Sequence, residues 1–461
     1  MLKKLFLPLY FFCIIYTANA QWTTLGDTGF YCSDTAHAAI MDNGTVRADI
    51  YSTIIDKAGN IYSAGAFTNS SGFYYVAKWN GTTWAELGTG ANALKANNII
   101  YALTTDNAGN IYAAGYFTNS SGNYYVAKWN GSSWDSLYDS SNPSWGNGAI
   151  LALSTDKNGN LYAAGGLVDS NNHVYVIKWD GTHWTSLGTD ANAPNGGIYT
   201  LAADQLGNIY AAGLFTNGNS YYVAKWDGTT WSQPGNTDNS FNGIINTIIV
   251  DDSNNLYVTG DYDYEYPLSN ISHPYIAKWN GTKWSMDTTN LLLGWRNTLA
   301  LDKRGNLYAG GDHIIKWNGT NWVNLDKGNN APIFTADSYI NSIVIDSLDN
   351  VYVSGTLKFP NGNVGVAEYE QGSSVTAITN ATTTTATALT AYPNPTNGNL
   401  TITTPEACQV VVYNILGELI TTQVVQAGNT TISLGNVPTG IYTVLVTGQN
   451  NTYTPVKIVK N

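Results

Sequence analysis

Ala-Lys-Trp-Asn-Gly-Thr-Thr-Trp occupies residues 77–84, and close copies follow at 127–134, 177–184, 224–231, 277–284 and 315–322. The tryptophan pairs are Trp79/Trp84, Trp129/Trp134, Trp179/Trp184, Trp226/Trp231, Trp279/Trp284 and Trp317/Trp322. Each pair flanks Asn-Gly or Asp-Gly, the dipeptide favoured in two-residue hairpin turns because both central residues take positive φ. With Asn80 and Gly81 as the turn, Trp79 is expected opposite Thr82 and Ala77 opposite Trp84. Side chains alternate along a strand, so both indoles then share a face, the small Ala77 makes room for Trp84, and Lys78 and Thr83 point away.

A second signal, Asp-x-x-Gly-Asn-(Ile/Leu)-Tyr, precedes each hairpin. It starts at Asp56, Asp106, Asp156 and Asp204 and persists in weaker form at Asp251, Asp302 and Asp346. The seven copies are spaced by 50, 50, 48, 47, 51 and 44 residues. Each copy reads as four short strands: one ending at the Asp, one starting at the Tyr, and the two hairpin arms. A period near fifty with four strands per repeat predicts an all-β fold with a seven-bladed β-propeller. Gln-Trp-Thr-Thr-Leu-Gly at residues 21–26 matches a second hairpin arm with no first arm before it, whereas the seventh copy lacks its second tryptophan. Trp22 is therefore expected to supply the outer strand of blade seven and close the ring, leaving no open edge. Val375 and Ile378 are the alternative donors of that strand.

The regular tryptophans are assigned to packing between blades. At roughly 25 cal/mol per Å2 and about 150–250 Å2 per aromatic side chain, each buried indole contributes on the order of 4–6 kcal/mol before entropy. The Asp-x-x-Gly-Asn stretches are assigned to plain turns rather than calcium loops, the Asp capping its own backbone and the Gly tolerating positive φ.

Composition agrees with a large β core: of 461 residues, 43% are hydrophobic, 13% aromatic and only 11% charged. Residues 1–20 have the form of a signal peptide, with Lys3 and Lys4, an apolar run to Tyr16, and small Ala18 and Ala20 at the expected cut. Without Lys3 and Lys4 the chain keeps 18 basic against 32 acidic residues, a formal charge of −14. That balance argues against nucleic acid and anionic membrane as partners. Cys32 and Cys408, far apart, make neither a disulfide framework nor a metal spacing. His173, His273 and His313 fall in different blades and are not expected to gather a metal, so no cofactor is expected.

The blade pattern resembles bacterial β-propeller repeats of exported surface proteins, broadly the kelch-like and β-propeller-repeat group. A separate resemblance follows a Thr/Ala-rich linker. Tyr-Pro-Asn-Pro-Thr-Asn-Gly at 392–398, Val-Val-Val-Tyr-Asn-Ile-Leu-Gly-Glu-Leu-Ile at 410–420, Val-Pro-Thr-Gly-Ile-Tyr at 437–442 and Lys-Ile-Val-Lys at 457–460 are similar to the type A C-terminal sorting domain of the type IX secretion system. The resemblance implies export, with Tyr392, Pro393, Asn394, Pro395, Gly398, Gly417, Gly440, Tyr442, Lys457 and Lys460 carrying the sorting signal. Alternating strands and Gly/Pro turns in the same stretch predict a small β-sandwich. The organisation expected is a signal peptide (1–20), propeller (21–375), linker (376–388) and sorting domain (389–461).

In a four-stranded blade the first-to-second and third-to-fourth turns lie on one rim. The uniform turns therefore share a face, and the opposite face carries what varies between copies, where binding loops belong. Trp145 and Trp295, outside the repeat, are candidates there, together with Tyr74 and Tyr124, for stacking on sugar rings. Asp261, Asp263 and Glu265 alternate with tyrosines and are the acidic candidates, for hydroxyl bonding or for acid and base in glycoside cleavage. The leading expectation is a non-catalytic exported protein that binds a glycan or an extracellular protein. The alternative is a polysaccharide-cleaving enzyme using the acidic loop.

Overall fold

The computed structural model describes residues 21–25, 39–40, 46–47, 49–140, 146–169, 173–188, 192–218, 220–235, 241, 243–260, 275–287, 297–326, 338–358, 364–370, 390–414, 419–435, 437–448, 453 and 456–461. The chain divides into two compact units, residues 1–375 and 376–461.

Among the described residues of the first unit, seven four-stranded antiparallel sheets form the blades. Blade 1 runs outward through Ile50–Ile55, Ile61–Gly65, Ala77–Trp79 and Trp84–Glu86. The inner strands neighbour one another around the ring, and the last of them, Ile340–Ile345, packs against the first, Ile50–Ile55. Blade 7 takes its outer strand from the N-terminus: Gln21–Thr24 pairs with Val364–Glu370, Trp22 opposite Tyr369. The Trp22 closure is what the fold uses. At the inner seam, Asn341 Nδ2 and Thr356 Oγ1 donate to Asp49 Oδ1 at 2.7 and 3.0 Å, and Thr53 Oγ1 lies 2.8 Å from Ser354 Oγ.

The hairpins depart from the expected register. Trp79 pairs directly with Trp84 and Ala77 with Glu86, so residues 80–83 form a four-residue loop rather than Asn80-Gly81 a two-residue turn. Asn80 is the reason: its Oδ1 accepts from the backbone N–H of Thr82 and Thr83 at 2.9 and 2.8 Å, an Asx turn that competes with the tighter one. Gly81 supplies the positive φ of 97°. Both indoles still share a face, now as a direct cross-strand pair with centroids 5.4 Å apart. Ala77 makes no room for Trp84, and Thr83 belongs to the loop. Lys78 points away as expected, its Nζ 5.5 Å from the Tyr62 ring centre.

The Asp turns follow expectation and add a network. Asp56 Oδ1 accepts from the backbone N–H of Ala58 and Asn60, and Oδ2 from Asn60 Nδ2 and the Tyr62 hydroxyl. Asp–Asn–Tyr bonds of this kind recur from Asp106 to Asp346. Burial alone raises the Asp56 pKa, but bonds from Asn60, Tyr62 and Ala58 outweigh it and hold the carboxyl below its ordinary value.

Tryptophans of the outer strands reach the preceding blade. Trp84, Trp134, Trp184 and Trp22 donate Nε1–H to the carbonyls of Leu25, Leu87, Leu137 and Leu325 at 2.7–2.9 Å. Apolar clusters span adjacent blades in the same way: Leu25, Val366 and Tyr352 of blade 7 pack with Ile50, Ile61 and Ala77 of blade 1, against Trp79 and Trp84.

The second unit is a two-sheet sandwich. Thr390–Tyr392, Asn399–Thr404 and Gly428–Ser433 form one sheet; Leu419–Val425, Cys408–Asn414, Gly440–Gly448 and Val456–Lys460, in that order, form the other. Leu400, Ile402 and Ile432 of the first pack on Val410, Val412, Val444 and Ile458 of the second. Cys408 is a buried free thiol in that core.

Candidate binding site at the mouth of the central channel

Six of the seven inner strands carry an irregularity at their start. In blade 1, Ile50 pairs with Gly65 and Ser52 with Ala64, so Tyr51 between them is an extra, unpaired residue. The same bulge falls at Tyr101, Leu151, Tyr199, Asn246 and Asn341. In blade 6 pairing begins at Thr298, and Asn297 stands just ahead of it. A bulge bends its strand and re-aims a side chain, and bulges gather beside functional sites.

All seven of these residues line one cavity of about 330 Å3, with Tyr116, Ile244 and Thr247 completing the wall. Each inner strand comes in from the face opposite the Asp turns, so the cavity is the mouth of the channel on the variable face. Its wall is divided: Tyr51, Tyr101, Leu151 and Tyr199 come from four consecutive blades, and Asn246, Asn297 and Asn341 from the other three. Tyr51 stacks on Tyr101, centroids 4.6 Å apart and planes 17° from parallel, and Tyr116 meets Tyr101 edge-on at 6.0 Å. Burial, with neighbouring Tyr116 and Tyr221, raises the Tyr199 pKa, so its phenol stays protonated. Opposite, Asn341 is held by Asp49 and the Ile50 carbonyl, and Thr247 Oγ1 donates to the Asn297 carbonyl at 3.0 Å. Asn246 Nδ2 is buried without a hydrogen-bond partner among the described residues. Such an unanswered donor costs about 1–3 kcal/mol. None of the ten lining residues carries a charge.

The repeat pattern held a signal for this ring. The Gly closing Ile-Tyr-Ala-Ala-Gly is needed because a Cβ on Gly115 would stand 2.2 Å from the Ile99 carbonyl oxygen and 2.7 Å from Tyr101 N. Close backbone approach at a strand glycine marks a bulge. The residue five places before each Asp is also where Tyr gives way to Asn around the ring.

Of the residues read from sequence as ligand contacts, Tyr74 requires correction. Its backbone bridges to Thr68 and Ala96, which folds the connection inward and buries the ring to 3% exposure among Tyr62, Leu87 and Phe117. A side chain so placed is core, not a ligand surface. Tyr124 is half-buried, in a shallow cleft with Tyr138 and Asp139. Trp145, Trp295, Asp261, Asp263, Glu265 and Gly417 lie outside the described residues, as do residues 1–20 and His273. His173 and His313 stay apart, each beside an acid of its own blade, Asp169 and Asp326.

In the sandwich, Tyr392, Pro393, Asn394 and Pro395 are exposed and Gly398 is buried. Gly398 takes a φ of 136°, which favours glycine. Tyr442 is buried and donates to the Pro438 carbonyl at 2.6 Å. Lys460 is buried with Nζ on the Val437 and Gly435 carbonyls, Gly440 pairs with Lys460, and Lys457 is exposed.

Residues 390–461 match the family model of the secretion system C-terminal sorting domain. Among solved structures, the extracellular domain of a hybrid two-component system of B. thetaiotaomicron is similar over 96% of this chain and 58% of its own, at 12% identity and TM-score 0.51. PorZ, a surface component of the type IX secretion system of Porphyromonas gingivalis, is similar over 90% of this chain and 59% of its own, at 15% identity and TM-score 0.47. The β-propeller domain of the trilobed protease of Pyrococcus furiosus covers 70% of this chain and 93% of its own, at 8% identity and TM-score 0.44. The chain thus spans less than two thirds of the first two. No curated protein matches the sequence. Seven four-stranded blades are followed by a sorting domain over residues 390–461, so the chain is a β-propeller cargo of the type IX secretion system, secreted or attached to the cell surface.

Proposed function

We propose that this exported propeller is a non-catalytic binding protein that takes an uncharged carbohydrate group in the mouth of its channel. The observation that carries the reading is the divided wall, Tyr51, Tyr101 and Tyr199 facing Asn246, Asn297 and Asn341 around one cavity. Phenol rings offer apolar contact to the C–H face of a sugar, and amides bond its hydroxyls. The cavity volume is at the low end for ligand pockets, suited to one or two sugar units. An anionic sugar would meet no cation among the described lining residues and an acidic chain around it. Acid-and-base glycoside cleavage needs a carboxyl pair flanking the bond, and the ten described lining residues include none.

The test is retention of the purified mature chain on neutral polysaccharides (laminarin, xylan, mannan) and on alginate, with an assay for new reducing or unsaturated ends. Retention on a neutral polymer without new ends is expected, as is loss of about tenfold in affinity, some 1.4 kcal/mol, on Tyr101→Ala or Asn246→Ala. Retention unchanged in both variants overturns the site. No retention on any polymer overturns the sugar reading in favour of a protein ligand, and new chain ends overturn the non-catalytic one.

A further inference from the structure

Two blocks of the sorting domain that stand about sixty residues apart meet in the fold. Asn394 spans the last strand with both ends of its amide: Nδ2 donates to the Lys457 carbonyl at 2.7 Å and Oδ1 accepts from the Val459 N–H at 2.9 Å. Thr396 continues the contact, its N–H donating to the Val459 carbonyl at 2.8 Å while its own carbonyl accepts from the Asn461 N–H at 3.0 Å. The segment leaving Thr390–Tyr392 in one sheet thus runs beside Val456–Lys460 of the other, in a parallel bridge of Thr396 with Lys460. The outer edge of the last strand is thereby covered. The side chains left facing out are large for a surface: Tyr392 is 45% and Val459 38% exposed, with Pro393, Pro395 and Lys457 also exposed. The match to a sorting domain begins at 390 and ends at 461, the two segments that Asn394 joins.

We propose that the secretion machinery reads a composite surface, the Tyr392 to Pro395 segment laid beside the last strand, rather than a linear C-terminal peptide. The partner fitting it presents an apolar cleft for Tyr392 and Val459 with an acidic lip for Lys457. Buried aromatic anchors of this kind dominate interface energetics, and flanking cations set orientation.

The test expresses the full chain in a bacterium with a working type IX system and compares periplasmic with surface and medium fractions by immunoblot. Tyr392→Thr and Val459→Thr are each expected to lower the exported fraction about tenfold, the effect of one lost interface anchor. Tyr392→Phe, which keeps the ring, and Val424→Thr, on the opposite edge strand and 71% exposed, are expected to export normally. Normal export of Tyr392→Thr with loss in Val459→Thr means that the last strand is read alone and overturns the proposal. Equal loss in Val424→Thr overturns it too, since any surface change would then impair export.

Discussion

Trp22 offers the sharpest test of how the ring is held. Its side chain is 5% exposed, its Nε1–H donates to the Leu325 carbonyl at 2.8 Å, and its ring lies 5.0 Å from Tyr369. Trp22→Phe keeps most of the apolar contact but leaves the buried Leu325 carbonyl unanswered, a cost of about 1–3 kcal/mol. Trp22→Ala removes the ring as well, which costs about 3–5 kcal/mol by the usual large-to-small penalty. Deleting residues 21–26 goes further, because Val364–Glu370 then becomes an open edge that pairs with other molecules. The assay is guanidinium unfolding of the mature chain followed by tryptophan fluorescence, with size-exclusion chromatography for the deletion. The expected order of midpoints is wild type, Trp22→Phe, Trp22→Ala, with slopes unchanged. Trp22→Ala unfolding at the wild-type midpoint, or a deletion that stays monomeric and equally stable, would refute the claim that the N-terminal strand seals the ring.

Gly115→Ala should force the bulge open, since its Cβ would meet backbone at 2.2 Å; a stability loss of at least about 1–3 kcal/mol is expected, with weaker glycan retention because Tyr101 moves. Gly59→Ala, at φ 83° with nothing within 4 Å, should cost only about 1 kcal/mol and leave retention intact, both read by melting and affinity chromatography. Asp180, in the Trp179–Trp184 hairpin loop, and the Asp turns together predict acid sensitivity. Hydrogen bonds from the His183 and Thr182 backbone hold the exposed Asp180 carboxyl at about 2, and those around the Asp56 and Asp106 carboxyls outweigh burial to lower their pKa values. A depressed folded pKa contributes stability that is present above the unfolded value near 4 and lost as pH falls toward the folded one. Stability should therefore decline between about pH 4 and pH 2, with Asp106→Asn less stable than wild type at pH 7 and showing a shallower acid loss, measured by denaturant midpoints across pH.

Much of the architecture was legible because the chemistry that sets it is local. Asp56, Gly59, Asn60 and Tyr62 close their turn within seven residues, so the motif announces the turn wherever it recurs. A missing second tryptophan in the seventh repeat and an orphan one at Trp22 sufficed to foretell the closure, because the pairing rule is the same in every blade. The hairpin loop shows the limit even of local reading. Asn80 fits both a two-residue turn and an Asx turn, and the Trp79–Trp84 cross-strand pair goes with the latter. Tyr74 shows another limit, since its burial depends on a bridge to Ala96, which the repeat pattern does not encode. The binding mouth depended on the tertiary structure altogether. Tyr51, Tyr101, Leu151, Tyr199, Asn246, Asn297 and Asn341 are each an ordinary residue about fifty positions from the next. They become one wall only when the ring closes and each bulge turns its side chain toward the axis. The sequence by itself determined the blades, their number and the sorting tail, through contacts that span a few residues. Which side chains face one another across the channel was decided by ring closure, because that proximity is a property of all seven blades together.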